Sequence, residues 1–200
     1  MSKRKLIVFD MEEVLWGINK KAARMTGIPA EKLTTFNTLM NPNLTDKEKS
    51  AMLAAYNDLR LFEDIEFYEI MINLVNDLYH NYPQYETRII SNCTTAAIRE
   101  CKYEQLRRKI DLPKSQIELH VIDKWAQNFE KKLPSGMFIF VDDSPYNIAL
   151  SDAMHRIMPP ANHNNVVSGG LVNGVPAIRP DTIEAVKDLV MEYIAKDSKS

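Results

Sequence analysis

Four short apolar runs, each followed at once by polar residues, constrain the fold of this chain more than any other feature. The first run is Leu6–Phe9, and the others fall within residues 87–91, 117–122 and 137–141. Their β-branched and aromatic residues are typical of strands buried on both faces of a parallel sheet. Segments with helical spacing of apolar residues separate the runs. The sequence therefore predicts an α/β fold with a doubly wound, Rossmann-like parallel sheet.

The segment between the first two predicted strands is long and mainly helical. Thr45 followed three residues later by Glu48 is a capping-box signature, which predicts that a helix begins there. A second amphipathic helix is predicted over residues 70–79, whereas residues 161–180 are predicted to be loop. A helical insertion of this kind usually covers a site and selects the substrate. The predicted division is a core of residues 1–16 and 83–200 with a small helical cap of residues 17–82.

Composition and charge limit the classes of partner. The chain has 200 residues, 45% hydrophobic and 26% charged, which is ordinary for a soluble globular protein. Its net charge of −2 is not the basic field that binds a nucleic-acid polymer or a membrane, so a small-molecule ligand is expected. Cys93 and Cys101 have no metal-ligand spacing, and no apolar run approaches the ~20 residues of a membrane span. Reduced thiols and a cytoplasmic location are expected.

Polar residues follow every predicted strand. The four sets are Asp10, Glu12 and Glu13; Ser91 and Asn92; Asp123 and Lys124; Asp142 and Asp143. Taken alone, the first set is equally typical of a solvated acidic turn, and the second of a helix N-cap. Carboxyl ends of parallel strands meet at one edge, however, and crowded carboxylates repel unless a cation such as Mg²⁺ compensates. Carboxylates, a hydroxyl and an ammonium together suit phosphoryl transfer.

Three of these stretches resemble motifs of the haloacid dehalogenase (HAD) superfamily. FDMEEVL is similar to motif I (D-x-D-x-[TV]), IISN to motif II and FIFVDDSPYNI to motif IV, in the family's order. The helical insertion followed by LFEDIEFYEIMINLVNDL, and the DK after the third strand, are similar to 5′(3′)-deoxyribonucleotidases. The resemblance implies an HAD-like fold and a Mg²⁺-dependent phosphomonoester hydrolase that forms an aspartyl-phosphate. It also implies a nucleoside (deoxy)monophosphate as substrate.

The resemblance implies roles for the acidic residues. Asp10 is expected to be the nucleophile. Asp10 and Asp142 are expected to hold Mg²⁺, with the backbone carbonyl of Glu12 as a further ligand. Asp143 is expected to support the metal site by orienting its ligands.

The resemblance also implies groups that bind the transferring phosphoryl group. Ser91 is expected to donate a hydrogen bond to it, with Asn92 beside it as a further binding residue. A lysine is expected to neutralise it, and Lys124, at the end of the third strand, is favoured for this role. Lys131 and Lys132 remain alternatives, because they lie closer in sequence to motif IV.

One position departs from the family pattern. Phosphatases of the family carry a second aspartate two residues after the nucleophile, which acts as general acid and then as general base. Here that residue is Glu12, whose arm is roughly 1.5 Å longer. A misplacement near 1 Å can cost on the order of 100-fold in rate. Two hypotheses stay open: a competent phosphatase, or a HAD-fold binding or regulatory protein that keeps Mg²⁺ and phosphate affinity without useful hydrolysis.

Overall fold

The computed structural model describes residues 4–35, 37–122, 131–164, 170–172 and 174–199. Five parallel strands form the central sheet: β1 (Lys5–Phe9), β2 (Tyr85–Cys93), β3 (Ile117–Val121), β4 (Met137–Val141) and β5 (His155–Ile157). Their order across the sheet is β3-β2-β1-β4-β5, so the strand nearest the amino end of the chain lies at the centre. The predicted parallel α/β sheet is confirmed.

Within the described residues, six α-helices accompany the sheet: α1 (Ile18–Thr26), α2 (Asp46–Tyr56), α3 (Glu69–Asn81), α4 (Ala96–Leu106), α5 (Pro145–Leu150) and α6 (Ile183–Asp197). The predicted capping box begins α2, where the Thr45 amide donates to Glu48 Oε2 at 2.8 Å and the Glu48 amide donates to Thr45 Oγ1 at 3.3 Å. Among the helices in the described ranges, none is both long and apolar enough to cross a membrane.

Alternate residues of the central strands pack on opposite faces of the sheet. Ile7 and Phe9 belong to a large buried cluster that includes side chains of α3, α4 and α6. Val8 and Phe140 belong to a second cluster, which α5 covers. Because both faces are buried at the centre of the sheet, β4 is apolar throughout and β1 is apolar after Lys5, as expected of parallel strands between helices.

The helices between β1 and β2 share the larger of these clusters. Buried side chains of α1 and α2 pack with one another and join those of α3 in the same cluster. The helix α3 also contacts β2 and α6. The division into a cap of residues 17–82 and a core stays a prediction.

The predicted loop over residues 161–180 is wrong in part. It contains an antiparallel pair of two-residue strands, β6 (Leu171–Val172) and β7 (Val175–Pro176). Gly174, between the two strands, has a φ of 81°, which glycine adopts without strain. Strands of this length are too short for an alternating apolar pattern to be visible in the sequence.

Strand register places the polar ends of β1, β2 and β4 at one level. Phe9 pairs with Ile89 of β2 on one side and with Val141 of β4 on the other. The Asp10 amide continues the ladder by donating to the Val141 carbonyl at 2.9 Å. The residues that follow these strands therefore meet at the carboxyl edge of the sheet.

Candidate active site

The turn after β1 carries three of the predicted acids in a tightly bonded loop. The Leu15 amide donates to the Met11 carbonyl at 2.8 Å, and the Glu13 amide donates to the Trp16 carbonyl at 2.7 Å. Glu13 has a φ of 56°, an uncommon value for a residue other than glycine. The acids of this turn each bond to a different part of the protein: Asp10 to Lys131, Glu12 to Ser91 and Glu13 to the start of α1.

Glu13 points toward the start of α1. Its Oε1 accepts a hydrogen bond of 2.8 Å from the amide of Asn19, in the first turn of that helix, where amides lack partners within the helix. Burial raises the pKa of Glu13 to about 7, and the nearby carboxylate of Asp143 adds to the rise. Glu13 is therefore a buried link between the turn and α1.

Three carboxylates meet at the sheet edge: those of Asp10, Asp142 and Asp143, all buried. Each offers an oxygen that lies within 4.8 Å of the others. Burial raises the pKa of Asp10 well above its ordinary value, and repulsion from the other acids adds to the rise. Burial raises the pKa of Asp142 in the same way. The group is thus short of positive charge.

Lys131 supplies one positive charge to this group. Its Nζ lies 2.7 Å from Asp10 Oδ1 and 2.5 Å from Asp142 Oδ2, and the residue is buried. Burial lowers the pKa of Lys131, but the two carboxylates outweigh this and raise it above its ordinary value. Lys131 was one of three lysines that the sequence left open. Lys132 is exposed, and the favoured Lys124 lies outside the described residues.

The three carboxylates fit Mg²⁺ by their chemistry and by their incomplete bonding. Mg²⁺ takes oxygen ligands and usually uses one or two carboxylates together with waters and substrate oxygens. Two carboxylates share the single ammonium of Lys131, which leaves negative charge over. Asp143 Oδ1 is buried and, among the residues that the structure describes, has no hydrogen-bond partner. Asp10, Asp142 and Asp143 could therefore hold the metal.

Neighbouring residues orient both Asp142 and Asp143. Asp142 Oδ1 accepts from the Ser144 amide at 2.9 Å and from Asn147 Nδ2 at 3.1 Å. The His163 Nε2 lies 3.0 Å from Asp143 Oδ2, and the two residues are buried together. Asn162, which precedes His163, contacts the helical insertion: its Nδ2 donates a hydrogen bond of 3.0 Å to the Ala30 carbonyl.

The Glu12 side chain is bonded to residues of β2 and α4, and its charge is near enough to Asp10 to add to the rise in the pKa of Asp10. The Ser91 hydroxyl donates to Glu12 Oε2 at 2.7 Å, and the Lys102 ammonium forms an ion pair with Glu12 Oε1. Burial raises the pKa of Glu12, but Lys102 and Ser91 outweigh this, and the pKa lies below its ordinary value. The predicted metal role of Glu12 rested on its backbone carbonyl and stays a prediction.

Lys102 also bonds to the end of β2. Its Nζ lies 3.2 Å from Ser91 Oγ and donates to the Asn92 carbonyl at 2.8 Å. Ser91 is fully buried, and its hydroxyl proton is directed at Glu12. The predicted roles of Ser91 and Asn92 in binding a phosphoryl group stay predictions.

Sequence reasoning missed Lys102 and His163. A signal for Lys102 exists, because it falls in the buried stripe of α4 with Ile98, Gln105 and Leu106, where a lysine needs a partner. His163 has no such signal. It meets Asp143 across 20 residues of chain, in a segment without regular apolar spacing.

A cavity of about 620 Å³ lies between α1 and the segment over residues 61–66. Lys21, Arg24 and Glu66 are among its lining residues, and none of the three clustered carboxylates lines it. The cavity is therefore separate from the candidate active site.

No protein-family model matches the sequence, and no curated protein matches it. Solved structures do match the fold. A haloacid dehalogenase-like family hydrolase from Xanthomonas campestris matches with a TM-score of 0.54 and 12% identity, over 98% of this chain and 99% of that one. A proposed β-phosphoglucomutase from Bacteroides vulgatus matches with a TM-score of 0.58 and 10% identity, over 96% and 90%.

A third match is D,D-heptose 1,7-bisphosphate phosphatase from B. bronchiseptica, whose structure is a complex with magnesium and phosphate. Its TM-score is 0.51 and its identity 14%, over 94% of this chain and 98% of that one. At such low identity these likenesses concern the fold. Together with the parallel sheet and its strand order, they show that this chain has the α/β fold of haloacid dehalogenase-like hydrolases.

Proposed function

We propose that this chain is a Mg²⁺-dependent phosphomonoester hydrolase that acts through an aspartyl-phosphate on Asp10. The observation that carries the proposal is the buried meeting of Asp10, Asp142 and Asp143 around Lys131. The carboxylates of such a group repel one another unless a cation compensates their charge, and a bound cation would in turn attract the phosphoryl oxygens of a substrate. A bound Mg²⁺ would supply charge neutralisation for the phosphoryl oxygens.

The chemistry of the proposal needs two steps at Asp10. In the first, Glu12 takes up a proton from solvent, a carboxylate oxygen of Asp10 bonds to phosphorus, the ester P–O bond breaks, and Glu12 gives its proton to the leaving oxygen. In the second, Glu12 takes a proton from water, the water oxygen bonds to phosphorus, and the P–O bond to Asp10 breaks. Phosphate is released, Glu12 returns this proton to solvent, and both acids are again in their starting state. Lys131, beside Asp10, would balance charge on the phosphoryl oxygens.

We infer a small phosphorylated molecule as the substrate class, with a nucleoside (deoxy)monophosphate as the first candidate. The nucleotide rests on the sequence likeness of the helical insertion and of the DK pair to deoxyribonucleotidases. The proteins of similar fold widen the choice, since two of them are named for sugar phosphates. The modest net charge of −2 supports a small ligand over a nucleic-acid polymer.

The engagement of Glu12 by Lys102 and Ser91 favours a second candidate function. A carboxylate held in this way is less free to exchange protons with a substrate. The chain would then be a binding or regulatory protein that keeps Mg²⁺ and phosphate affinity without turnover. Mg²⁺-dependent binding of a phosphate ester, measured calorimetrically without release of phosphate, would identify this case.

The test is a phosphate-release assay with Mg²⁺ on nucleoside monophosphates, sugar phosphates and an aryl phosphate. We expect turnover by the wild type and a loss on the order of 10³-fold or more in Asp10→Asn, because the amide is a poor nucleophile. Asp188→Asn makes the same change at an exposed site on α6 and should keep full activity. Equal turnover by Asp10→Asn and the wild type would refute the aspartyl mechanism.

A further inference from the structure

The ammonium of Lys102 is fully engaged inside the protein. It has three N–H donors, and three acceptors surround it: the Glu12 carboxylate, Ser91 Oγ at 3.2 Å and the Asn92 carbonyl at 2.8 Å. The residue is only 3% exposed, and Nζ lies 5.3 Å from the centre of the Phe62 ring. Such a buried lysine is costly unless every donor is used.

The same contacts fix both oxygens of Glu12. Oε1 pairs with Lys102, and Oε2 accepts from the Ser91 hydroxyl at 2.7 Å. Ser91 is itself bonded to Lys102, so the three side chains form a closed triangle. Glutamate has one more rotatable bond than aspartate, and this triangle removes the freedom that the bond adds.

We propose that Lys102 is a positioning residue that, with Ser91, fixes the Glu12 carboxylate at the place where it exchanges protons during catalysis. The inference rests on the proposed function, because it assigns a partner to the proposed acid and base. Lys102 acts through Glu12 and does not touch the substrate. Glu12 and Lys102 together thereby take the place of a single shorter aspartate.

A positioning role predicts that Glu12 and Lys102 behave as a unit. Once either member is lost, the other can contribute little to proton transfer, so the losses do not multiply. Glu12→Asp should also lose activity, because a side chain about 1.5 Å shorter cannot meet both Lys102 and Ser91. If Glu12 merely crippled an aspartate-based site, Glu12→Asp would instead gain activity.

The experiment compares kcat and KM for Glu12→Gln, Lys102→Met and the double variant, on aryl and alkyl phosphates with Mg²⁺. We expect each variant to lose about 100-fold in kcat, the double variant no more than either single, and KM to change little. Losses should be larger for alkyl phosphates, whose leaving oxygens need a proton more. Lys102→Arg should restore part of kcat.

Lys109→Met is the matched control, since it removes an exposed lysine paired with Glu69 at 2.8 Å, and it should keep wild-type kcat. A merely structural role for Lys102 would lower kcat equally for all leaving groups. That pattern, or losses that multiply in the double variant, would overturn the proposal.

Failures of the two proposals can be told apart. If the wild type hydrolyses no phosphate ester, the proposed function fails and the positioning role falls with it. If the wild type is active and Asp10→Asn is not, but Lys102→Met keeps wild-type kcat, the positioning role alone is refuted. If Lys102→Met does not fold, Lys102→Arg and Glu12→Asp carry the test: a gain of activity in Glu12→Asp overturns the proposal.

Discussion

Two buried lysines serve the same sheet edge but balance charge differently. Lys131 lies between the carboxylates of Asp10 and Asp142, so one ammonium faces two acids. Lys102 faces the single carboxylate of Glu12, and its other two acceptors are neutral oxygens. The Lys131 pocket therefore carries excess negative charge, whereas the Lys102 pocket is balanced.

The difference in charge balance indicates that the Lys131 pocket needs a further cation, whereas the Lys102 pocket does not. The raised pKa values of Asp10 and Asp142 and the lowered pKa of Glu12 agree with it, since crowded buried acids resist ionisation and a paired acid does not. We expect the Lys131 pocket to be completed by Mg²⁺. We expect the Lys102 pocket to be ordered with or without the metal.

Removing the two lysines in turn gives the largest expected effect. Because each substitution leaves buried carboxylates unpaired, Lys131→Met and Lys102→Met should each lower the free energy of unfolding by roughly 3–5 kcal/mol in metal-free buffer. Excess Mg²⁺ should recover much of the loss in Lys131→Met and little in Lys102→Met. Urea denaturation with EDTA or with Mg²⁺ measures both. Equal recovery in the two variants would erase the distinction between the pockets.

Removing the neighbour of Asp143 should sharpen the same distinction. His163→Leu takes away the group 3.0 Å from Asp143 Oδ2, so we expect Mg²⁺ affinity to weaken by about 10–100-fold because Asp143 loses its orientation. Calorimetric Mg²⁺ titration is the measurement. His80→Leu removes a histidine from an exposed pair with Asp111 at 2.8 Å and should leave the affinity unchanged. Unchanged affinity in His163→Leu would exclude Asp143 from the metal-dependent pocket.

A half-buried ion pair away from the sheet edge, Lys32 with Glu48, is the reference for both pockets and has the smallest expected effect. The hydrogen bond from Lys32, with those from the Thr45 amide and hydroxyl, lowers the pKa of Glu48 to about 2 from 4.5. The unfolded chain then binds this proton more readily, so the stabilisation by Glu48 is complete above about pH 4.5 and is lost as the pH falls toward 2.

Glu48→Gln tests this reference. Its stability deficit relative to the wild type, measured by urea denaturation, should be small, shrink from pH 6 to pH 3.5, and not depend on Mg²⁺. A deficit that stays constant over this range would show that the ionised carboxylate contributes nothing to the capping box. A dependence on Mg²⁺ would mean that the effects of the metal are not confined to the sheet edge.

The fold could be predicted from the sequence because each of the first four strands contains a short apolar run that is followed by polar residues. The apolar run fills β4 and all of β1 after Lys5, whereas β2 and β3 also contain polar residues. The capping box at Thr45 marks a helix start by local chemistry alone. The β6–β7 pair was not predicted, because two-residue strands are too short to show an alternating pattern in the sequence. Local rules thus suffice where elements are long and fail where they are short.

The site could be predicted only in part. Some of its residues follow strands of the sheet, whereas others come from a helix and from a segment beyond β5. Asp10, Asp142 and Asp143 follow strands, and parallel topology alone predicts that they meet. The partner of Glu12 comes from the middle of α4, and the partner of Asp143 from a segment beyond β5. The direction in which Glu12 points depends on a turn with a positive φ at Glu13, which no residue pattern announces.

The central position of β1 has a consequence for how the chain folds during synthesis. Phe9 pairs with Ile89 and Val141. The strand β1 is therefore synthesised first and stays unpaired until residues about 80 and 130 positions later have been translated. Contacts this distant in sequence make folding slow, and an unpaired apolar strand is prone to aggregate in the interval. A nascent chain that stops before β4 would hold Asp10 without Asp142 or Asp143. The three clustered carboxylates are therefore complete only after β4 has been made.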